Sequence, residues 1–332
     1  KKNMKQIVWI DTDTGIDDAL ALFCAFKHCE VKCVSCTYGN CSQDKVFKNV
    51  CRLISIYKLA HPNFSVPTVC LTSPNSKSQI QVQRPPNDKL NYHGLDGLGD
   101  FPFQSWEVPL KIAPQRFIQT YQQLISQFPQ MKFVAIGPLT AAWELLQSGC
   151  KLNLVAMAGA FSHIEPFQCG NMGRFGFPNA EHNAVCDTEA FLAVFNAGGV
   201  IVDWNLYLQN QLPAQVIFQN VKFETKTNLL KQNDHMLVQQ TELNLVRQFH
   251  AGIAEWFYKR CQSDNLQFLC CDSLAVFASC CDFESQNGEI RVELADGLEY
   301  GRTDFVKTEN GKVKLVTGVD IGEFTKFIED AL

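Results

Sequence analysis

Four aspartates fall within eight residues at Asp11-Thr12-Asp13-Thr14-Gly15-Ile16-Asp17-Asp18. The apolar run Ile7-Val8-Trp9-Ile10 leads into them, and Ala19-Leu20-Ala21-Leu22-Phe23-Cys24-Ala25 leads out. The first run reads as a buried strand and the second as a helix, so the acids crowd one strand-to-helix turn. Carboxylates a few Å apart repel, and neighbours cannot all ionise cheaply. Asp17 or Asp18 alone would suit a helix N-terminus, where negative charge meets the positive end of the backbone dipole. The whole cluster asks for more, either protons shared among the acids or a cation. A hard ion, Ca²⁺ or Mg²⁺, takes oxygen ligands of this kind.

The rest of the chain repeats the strand-then-helix rhythm. Strands are predicted over 6–11, 31–37, 66–71, 132–136, 152–158 and 200–203, and helices over 17–28, 43–59, 115–127, 139–148, 187–197, 240–262 and 272–280. This alternation predicts an α/β fold: a mostly parallel central sheet with helices on both faces. Segments 290–294, 303–308 and 312–317, with the turn dipeptide Asn310-Gly311, predict a small added β-hairpin. No repeat or low-complexity linker divides the chain, so one domain is expected over 4–332.

Composition narrows the partners. The chain has 332 residues, 46% apolar and 19% charged, with a net charge of −5. That balance, without a basic arm, argues against nucleic acid. No apolar run approaches the ~20 residues that span a membrane. Fifteen cysteines, many inside apolar runs, read as reduced thiols packed as small hydrophobes. The start, Lys1-Lys2-Asn3-Met4, lacks the apolar stretch of a signal peptide, so a cytoplasmic location is expected. Cys33-x-x-Cys36 sits in a strand-like run with no second pair to complete a zinc site.

In open parallel sheets ligands bind beyond the carboxyl ends of the strands. The polar punctuation falls there: Asp11 and Asp13 after the first strand, Asn40 after the second, Gly137-Pro138 and Gly159 after later ones. Two long Gly/Pro-rich loops, 72–110 and 162–183, are placed to close over this edge. A Walker phosphate loop, a Gly-x-Gly-x-x-Gly turn and a Gly-x-Ser-x-Gly elbow are all missing.

The ordered set Asp11-x-Asp13-x-x-x-Asp17-Asp18, Tyr38-Gly39-Asn40, His93-Gly94-x-x-Gly97-Leu98-Gly99, Ile136-Gly137-Pro138-Leu139-Thr140, Ala180-Glu181-x-Asn183, Cys271-Asp272 and Gly301-Arg302-Thr303 resembles the inosine-uridine-preferring nucleoside hydrolase family. The resemblance spans nearly the whole chain. It implies a Rossmann-like nucleoside hydrolase fold and Ca²⁺-dependent hydrolysis of ribonucleosides to free base and ribose. By that resemblance Asp13, Asp18, Asp272 and the backbone carbonyl of Ile136 hold the metal. Asp13 doubles as general base on a metal-bound water, and Asp17, Asn40, Met157, Asn171, Glu181 and Asn183 bind the sugar. His93 matches a family histidine near the base. The partner implied is a small nucleoside, with a homodimer or homotetramer as the assembly. Cleaving an N-glycosidic bond builds positive charge on C1′ and the ring oxygen, which suits such residues.

One position departs from the family pattern. Cys271 stands where relatives carry His, a general acid, or Trp, which stacks on the base. A thiol near several carboxylates stays protonated, leaving it a weak proton donor or a small buried filler. Leaving-group activation is then expected partly from Tyr207, His250, Trp256, Phe257, His182 or His93. The lack of that His favours purine nucleosides. Two alternatives stand beside this reading. One is an Asp-x-Asp phosphatase with Asp11 as nucleophile; the other is a catalytically weak nucleoside- or Ca²⁺-binding homologue.

Overall fold

A computed structural model of the protein describes residues 5–78, 80, 92–101, 114–161, 170–218, 243–264 and 267–332. Ten strands form one sheet: β1 (Ile7–Thr12), β2 (Glu30–Cys36), β3 (Thr68–Leu71), β4 (Gln115–Arg116), β5 (Lys132–Ala135), β6 (Leu154–Met157), β7 (Gly199–Val202), β8 (Glu284–Val292), β9 (Thr303–Lys307) and β10 (Val313–Gly318). The helices are α1 (Ile16–His28), α2 (Gln43–Ala60), α3 (Phe117–Gln127), α4 (Thr140–Gln147), α5 (His182–Cys186), α6 (Thr188–Ala197), α7 (Trp204–Gln209), α8 (Ala214–Phe218), α9 (Leu243–Asp264), α10 (Cys271–Cys280) and α11 (Ile321–Ala331).

The strand order is β4-β3-β2-β1-β5-β6-β7-β10-β8-β9. From β4 through β10 every pairing is parallel. The chain steps outward from β1 to β4, then returns to place β5 on the other side of β1. The reversal between β1 and β5 opens a crevice at their carboxyl ends, where such sheets bind ligands. Asp11 lies in register with Ser35 on one neighbour and Ala135 on the other, so the aspartate turn emerges at that crevice.

Strand side chains alternate between two cores, as a sheet covered on both faces requires. Val8, Ile10, Val34, Val134, Ile136, Val155, Met157 and Val202 pack with α1, α2, α9, α10 and α11. Trp9, Cys33, Phe133, Ala135, Leu154, Ala156 and Ile201 pack on the other face with α3, α4 and α6. The first-face helix α1 is buried from Ile16 to Phe26 and lies against α10 and α11, which explains its lack of a polar stripe.

The parallel sheet and its helices match the sequence expectation closely, with β3 starting at Thr68 because Pro67 has no N–H for the ladder. The added antiparallel strands form differently. The Asn310-Gly311 turn joins β9 to β10, yet these two are not neighbours, because β8 pairs with both and lies between them. The hairpin is β8–β9, closed by residues 293–302. Short α5, α7 and α8, and the C-terminal α11, had no counterpart in the sequence reading. Asp320 caps α11 by accepting from Glu323 N, a start signal visible in the chain. No helix among the described residues is long and apolar enough to cross a membrane, and no disulfide joins the described cysteines.

Candidate active site

Beyond the ends of β1, β2, β5 and β6 lies a cleft of about 410 Å³. Its floor is polar, with Asp17, Asn40, Ile136, Glu181, Asn183 and Asp272, and its flank carries Tyr92, Trp204, Tyr207 and Phe257. Asp13 and Asp18 lie just beneath, both with no exposed surface.

The turn that carries the acids is held by its own polar groups. Thr14 adopts the left-handed region, φ 39°, an uncommon state for a β-branched residue. Asp18 accepts from Gly15 N at 2.6 Å and from Thr12 Oγ1 at 2.5 Å, so it caps the start of α1 on which it rides. Asn40, from the loop after β2, bridges two carboxylates: its backbone N–H donates to Asp13 Oδ2 at 2.7 Å, and its amide Nδ2 reaches Asp13 Oδ1 at 3.3 Å and Asp18 Oδ2 at 3.2 Å. Gly39 makes this approach possible, since a Cβ there would sit 1.9 Å from Asp13 Oδ2. His182 Nε2 stands 3.5 Å from the same oxygen.

Asp272 enters from the first turn of α10 and Cys271 from the position before it. The Cys271 thiol donates to Asp17 Oδ2 at 3.3 Å. Ligand atoms of Asp17, Cys271 and Asp272 lie within 4.8 Å of one another. Burial, then the charges of Asp13 and Asp17, pushes the Asp18 carboxyl well above the usual range. Burial, then Asp17, Asp18 and Asp13, does the same to Asp272. Burial and the Asp272 and Asp17 charges likewise hold the Cys271 thiol protonated. Among the described residues, the acids close enough to share one ion are thus Asp17 and Asp272, beside the Cys271 thiol, rather than the expected set of Asp13, Asp18 and Asp272; the mutual repulsion of these buried carboxylates is what a cation would relieve. They fit a hard divalent ion, whereas the protonated thiol does not add a soft ligand.

The sugar-binding candidates converge on the same floor. Glu181 caps α5, accepting from Asn183 N at 2.8 Å and Ala184 N at 3.0 Å, and also from Gly159 N at 2.8 Å. Burial raises its pKa to about 7 against the pull of those three N–H groups. Asn183 Nδ2 donates to Met157 O at 3.0 Å and Ile136 O at 3.3 Å, leaving its buried Oδ1 without a partner among the described residues. Met157 is buried beneath it. Asn171 is exposed at the rim and accepts from His182 N at 2.9 Å through Oδ1.

His93 sits on the compact turn 92–101, pinned to α2 by Asn49 Nδ2 donating to Asp96 O at 2.7 Å. Its ring reaches Ile16 N at 3.1 Å and lines the cleft. Tyr207, Phe257 and His182 also line the cleft, as leaving-group candidates should. His250 does not: it is wholly buried, with Nε2 on Ile16 O at 3.2 Å. The side chain of Trp256 lies outside the described residues. Asp11 turns away from the cluster. Ser35 donates to it after accepting from the Trp9 indole, and burial holds its carboxyl well above the usual range, which unsuits it as an exposed nucleophile.

Sequence reasoning named Tyr207 and Phe257 on the flank but missed Trp204, Leu208 and Gln211, which line the cleft beside Tyr207. The i, i+3, i+4, i+7 spacing of Trp204, Tyr207, Leu208 and Gln211 after the capping Asp203 is a helix-face signal present in the chain. Arg174, from a short 3-10 turn (Gly173–Phe175), and Gln267 and Leu269, from the segment before α10, carried no such signal.

Comparison with known proteins places the chain and its fold. The model of a family described as inosine-uridine preferring nucleoside hydrolase matches residues 8–326. The non-specific ribonucleoside hydrolase RihC of Salmonella paratyphi B (strain ATCC BAA-1250 / SPB7) is 29% identical over 218 residues. That match spans 64% of this chain and 64% of the relative. Among solved structures, a purine-preferring ribonucleoside hydrolase from Gardnerella vaginalis superposes with a TM-score of 0.76 at 20% identity, covering 98% of both chains. An inosine-guanosine nucleoside hydrolase superposes with a TM-score of 0.72 at 18% identity and the same coverage. The two solved structures share the fold of this chain.

Proposed function

We propose, from the premise that this chain belongs to the inosine-uridine preferring nucleoside hydrolase family, that it hydrolyses the N-glycosidic bond of ribonucleosides to free base and ribose, purine nucleosides first. The observation that carries this is the division of one cleft into a floor of buried carboxylates and amides and a flank of Tyr92, Trp204, Tyr207 and Phe257. The floor suits a polyhydroxylated sugar, and the aromatic flank suits a flat base.

The chain's own groups have distinct tasks. Asp13, held by Asn40 and faced by His182, takes a proton from the attacking water. Asp17, Asn40, Glu181, Asn183 and Asn171 orient the ribose hydroxyls, so little freedom remains to be lost at the transition state. Asn183 is fixed through its Nδ2, which leaves its buried Oδ1 for the sugar. His93 Nδ1 accepts from Ile16 N and stands 3.7 Å from Asp17 Oδ1, which fixes the ring and leaves Nε2 to donate to the departing base. Cys271, whose proton points to Asp17, orients that carboxylate. A Ca²⁺ ion held by Asp13, Asp18, Asp272 and the Ile136 carbonyl would supply charge that eases ionisation of water and binds vicinal hydroxyls. A cytoplasmic homodimer or homotetramer belongs to the same proposal.

Ribose release tests it. Purified protein is incubated with inosine, guanosine, adenosine and uridine, with Ca²⁺ or with a chelator, and free reducing sugar is measured. Inosine or guanosine should give the fastest release, and chelation should abolish it. Failure to release ribose from any nucleoside overturns the proposal.

A further inference from the structure

Ile16, the first residue of α1, is gripped on both of its backbone polar groups by imidazoles from distant segments. Its N–H donates to His93 Nδ1 at 3.1 Å. Its carbonyl lies 3.2 Å from His250 Nε2. A carbonyl only accepts, so His250 carries its proton on Nε2. Its Nδ1 is then an acceptor, buried with no partner among the described residues. Burial lowers the pKa of this ring to about 4, so it is neutral.

Packing alone gives no reason for a histidine here. His250 has no exposed surface and stands edge-on to Phe23 and Phe268, with ring centroids 6.5 and 5.7 Å away. Leucine or phenylalanine would fill such a place without stranding a nitrogen. What the histidine adds is one directed N–H, aimed at the peptide that immediately precedes Asp17 and Asp18. The clamp also closes a strained turn, since Thr14, two residues earlier, has φ 39°.

The two jaws are joined. α9, which carries His250, presents Ile253 O where any side chain at Gly99 would collide at 2.0 Å, so the His93 turn lies directly on this helix. One turn further along, α9 supplies Phe257 to the cleft flank. The same helix therefore touches the carboxylate turn, the His93 turn and the base side of the cleft.

We propose that His250 is a positioning residue: with His93 it clamps the Ile16 peptide and so fixes the first turn of α1, setting where Asp17 and Asp18 stand. What those two carboxylates hold, a sugar and a cation, rests on the hydrolase reading above.

The test compares His250→Leu, which removes both the donor and the stranded nitrogen, with His250→Gln, which keeps an amide N–H at nearly the same reach. Three readouts are taken: melting temperature, Tb³⁺ luminescence titration with Ca²⁺ competition, and kcat and KM for inosine. The Leu variant is expected to melt no earlier than wild type yet to bind Tb³⁺ about 10-fold more weakly, the lower end for loss of a group that orients metal ligands. Its kcat/KM should fall by a similar factor, and Gln should recover both to within about threefold. Wild-type Tb³⁺ affinity in the Leu variant overturns the proposal. So does equal impairment of Leu and Gln that follows early melting, the signature of packing. If wild type releases no ribose, the hydrolase reading fails, while the Tb³⁺ titration still decides the clamp.

Discussion

Replacing Cys271 by alanine separates two roles for a thiol that lines the cleft beside Asp17. The side chain is buried and donates to Asp17 Oδ2 at 3.3 Å. Burial and the neighbouring Asp272 and Asp17 charges raise its pKa well above that of an ordinary thiol. A proton held so firmly, and already directed at a carboxylate, is badly placed for transfer to a departing base. General acid catalysis is worth about 10²- to 10⁴-fold. One weak hydrogen bond that only orients Asp17 is worth about 0.5–1.5 kcal/mol, roughly 2- to 13-fold. Cys271→Ala should therefore lower kcat/KM by less than about tenfold, and equally on inosine and on p-nitrophenyl riboside, whose leaving group needs no proton. Cys271→Ser, with a stronger donor, should return most of the loss. The assay pairs ribose release from inosine with nitrophenolate absorbance from the aryl riboside. A loss beyond about 100-fold on inosine, with the aryl riboside spared, would refute this reasoning and make the thiol the acid.

Two further outcomes follow from the buried acids. Asp203 caps α7 and accepts from Phe161 N and Leu206 N, and burial raises its pKa to about 6 from 3.8. An acid whose folded pKa is raised contributes stability that is complete below its unfolded pKa and lost as pH rises through the folded one. The stability of Asp203→Asn relative to wild type should thus climb by about 3 kcal/mol between about pH 4 and pH 7, measured by urea unfolding; a flat difference would contradict it. Asp18 and Asp272 shift the same way, so Ca²⁺ binding should expel protons and tighten as pH rises. Calorimetric titration in buffers of different ionisation enthalpy measures the protons released, and none released would show that these carboxyls are not the ligands.

Much of the fold could be read from the chain because its rules are local. Strands β1, β3, β5, β6 and β7 are short, largely apolar runs whose alternate residues serve two cores, so composition and length identify them, whereas the exposed pair Gln115-Arg116 of β4 falls inside the helix expected over 115–127. The candidate site was legible for the same reason, since Asp13 and Ile136 directly follow β1 and β5, Met157 ends β6, and Asn40 lies in the loop after β2. Pairing among the last three strands was not. Asn310-Gly311 is a good hairpin turn by itself, but β8 already occupies the edge of β10 and leaves β9 on its far side. Gly311 passes so close to Gly288 that a Cβ would meet its carbonyl oxygen at 2.3 Å, a crossing that only the tertiary arrangement reveals.

The same limit explains which acids could be assigned. By spacing alone, Asp11, Asp13, Asp17 and Asp18 are equivalent members of one cluster. Their environments differ because the backbone reverses between them. Asp11 is still in the ladder, opposite Ser35, so its side chain shares the Trp9 face and its charge is removed by burial. Past Thr14, Asp18 turns back to cap the helix it begins, while Asp17 faces the cleft beside Cys271. Asp13 is left facing Asn40 and His182, neither within 20 residues of it in the chain. A carboxylate takes its role from what meets it, and here all four meet groups brought in from elsewhere. The helix-dipole account of the cluster explains Asp18 as a cap, but it offers nothing for the Asn40 amide shared between Asp13 and Asp18. That shared donor is what two facing carboxylates need when they are kept close for chemistry rather than for capping.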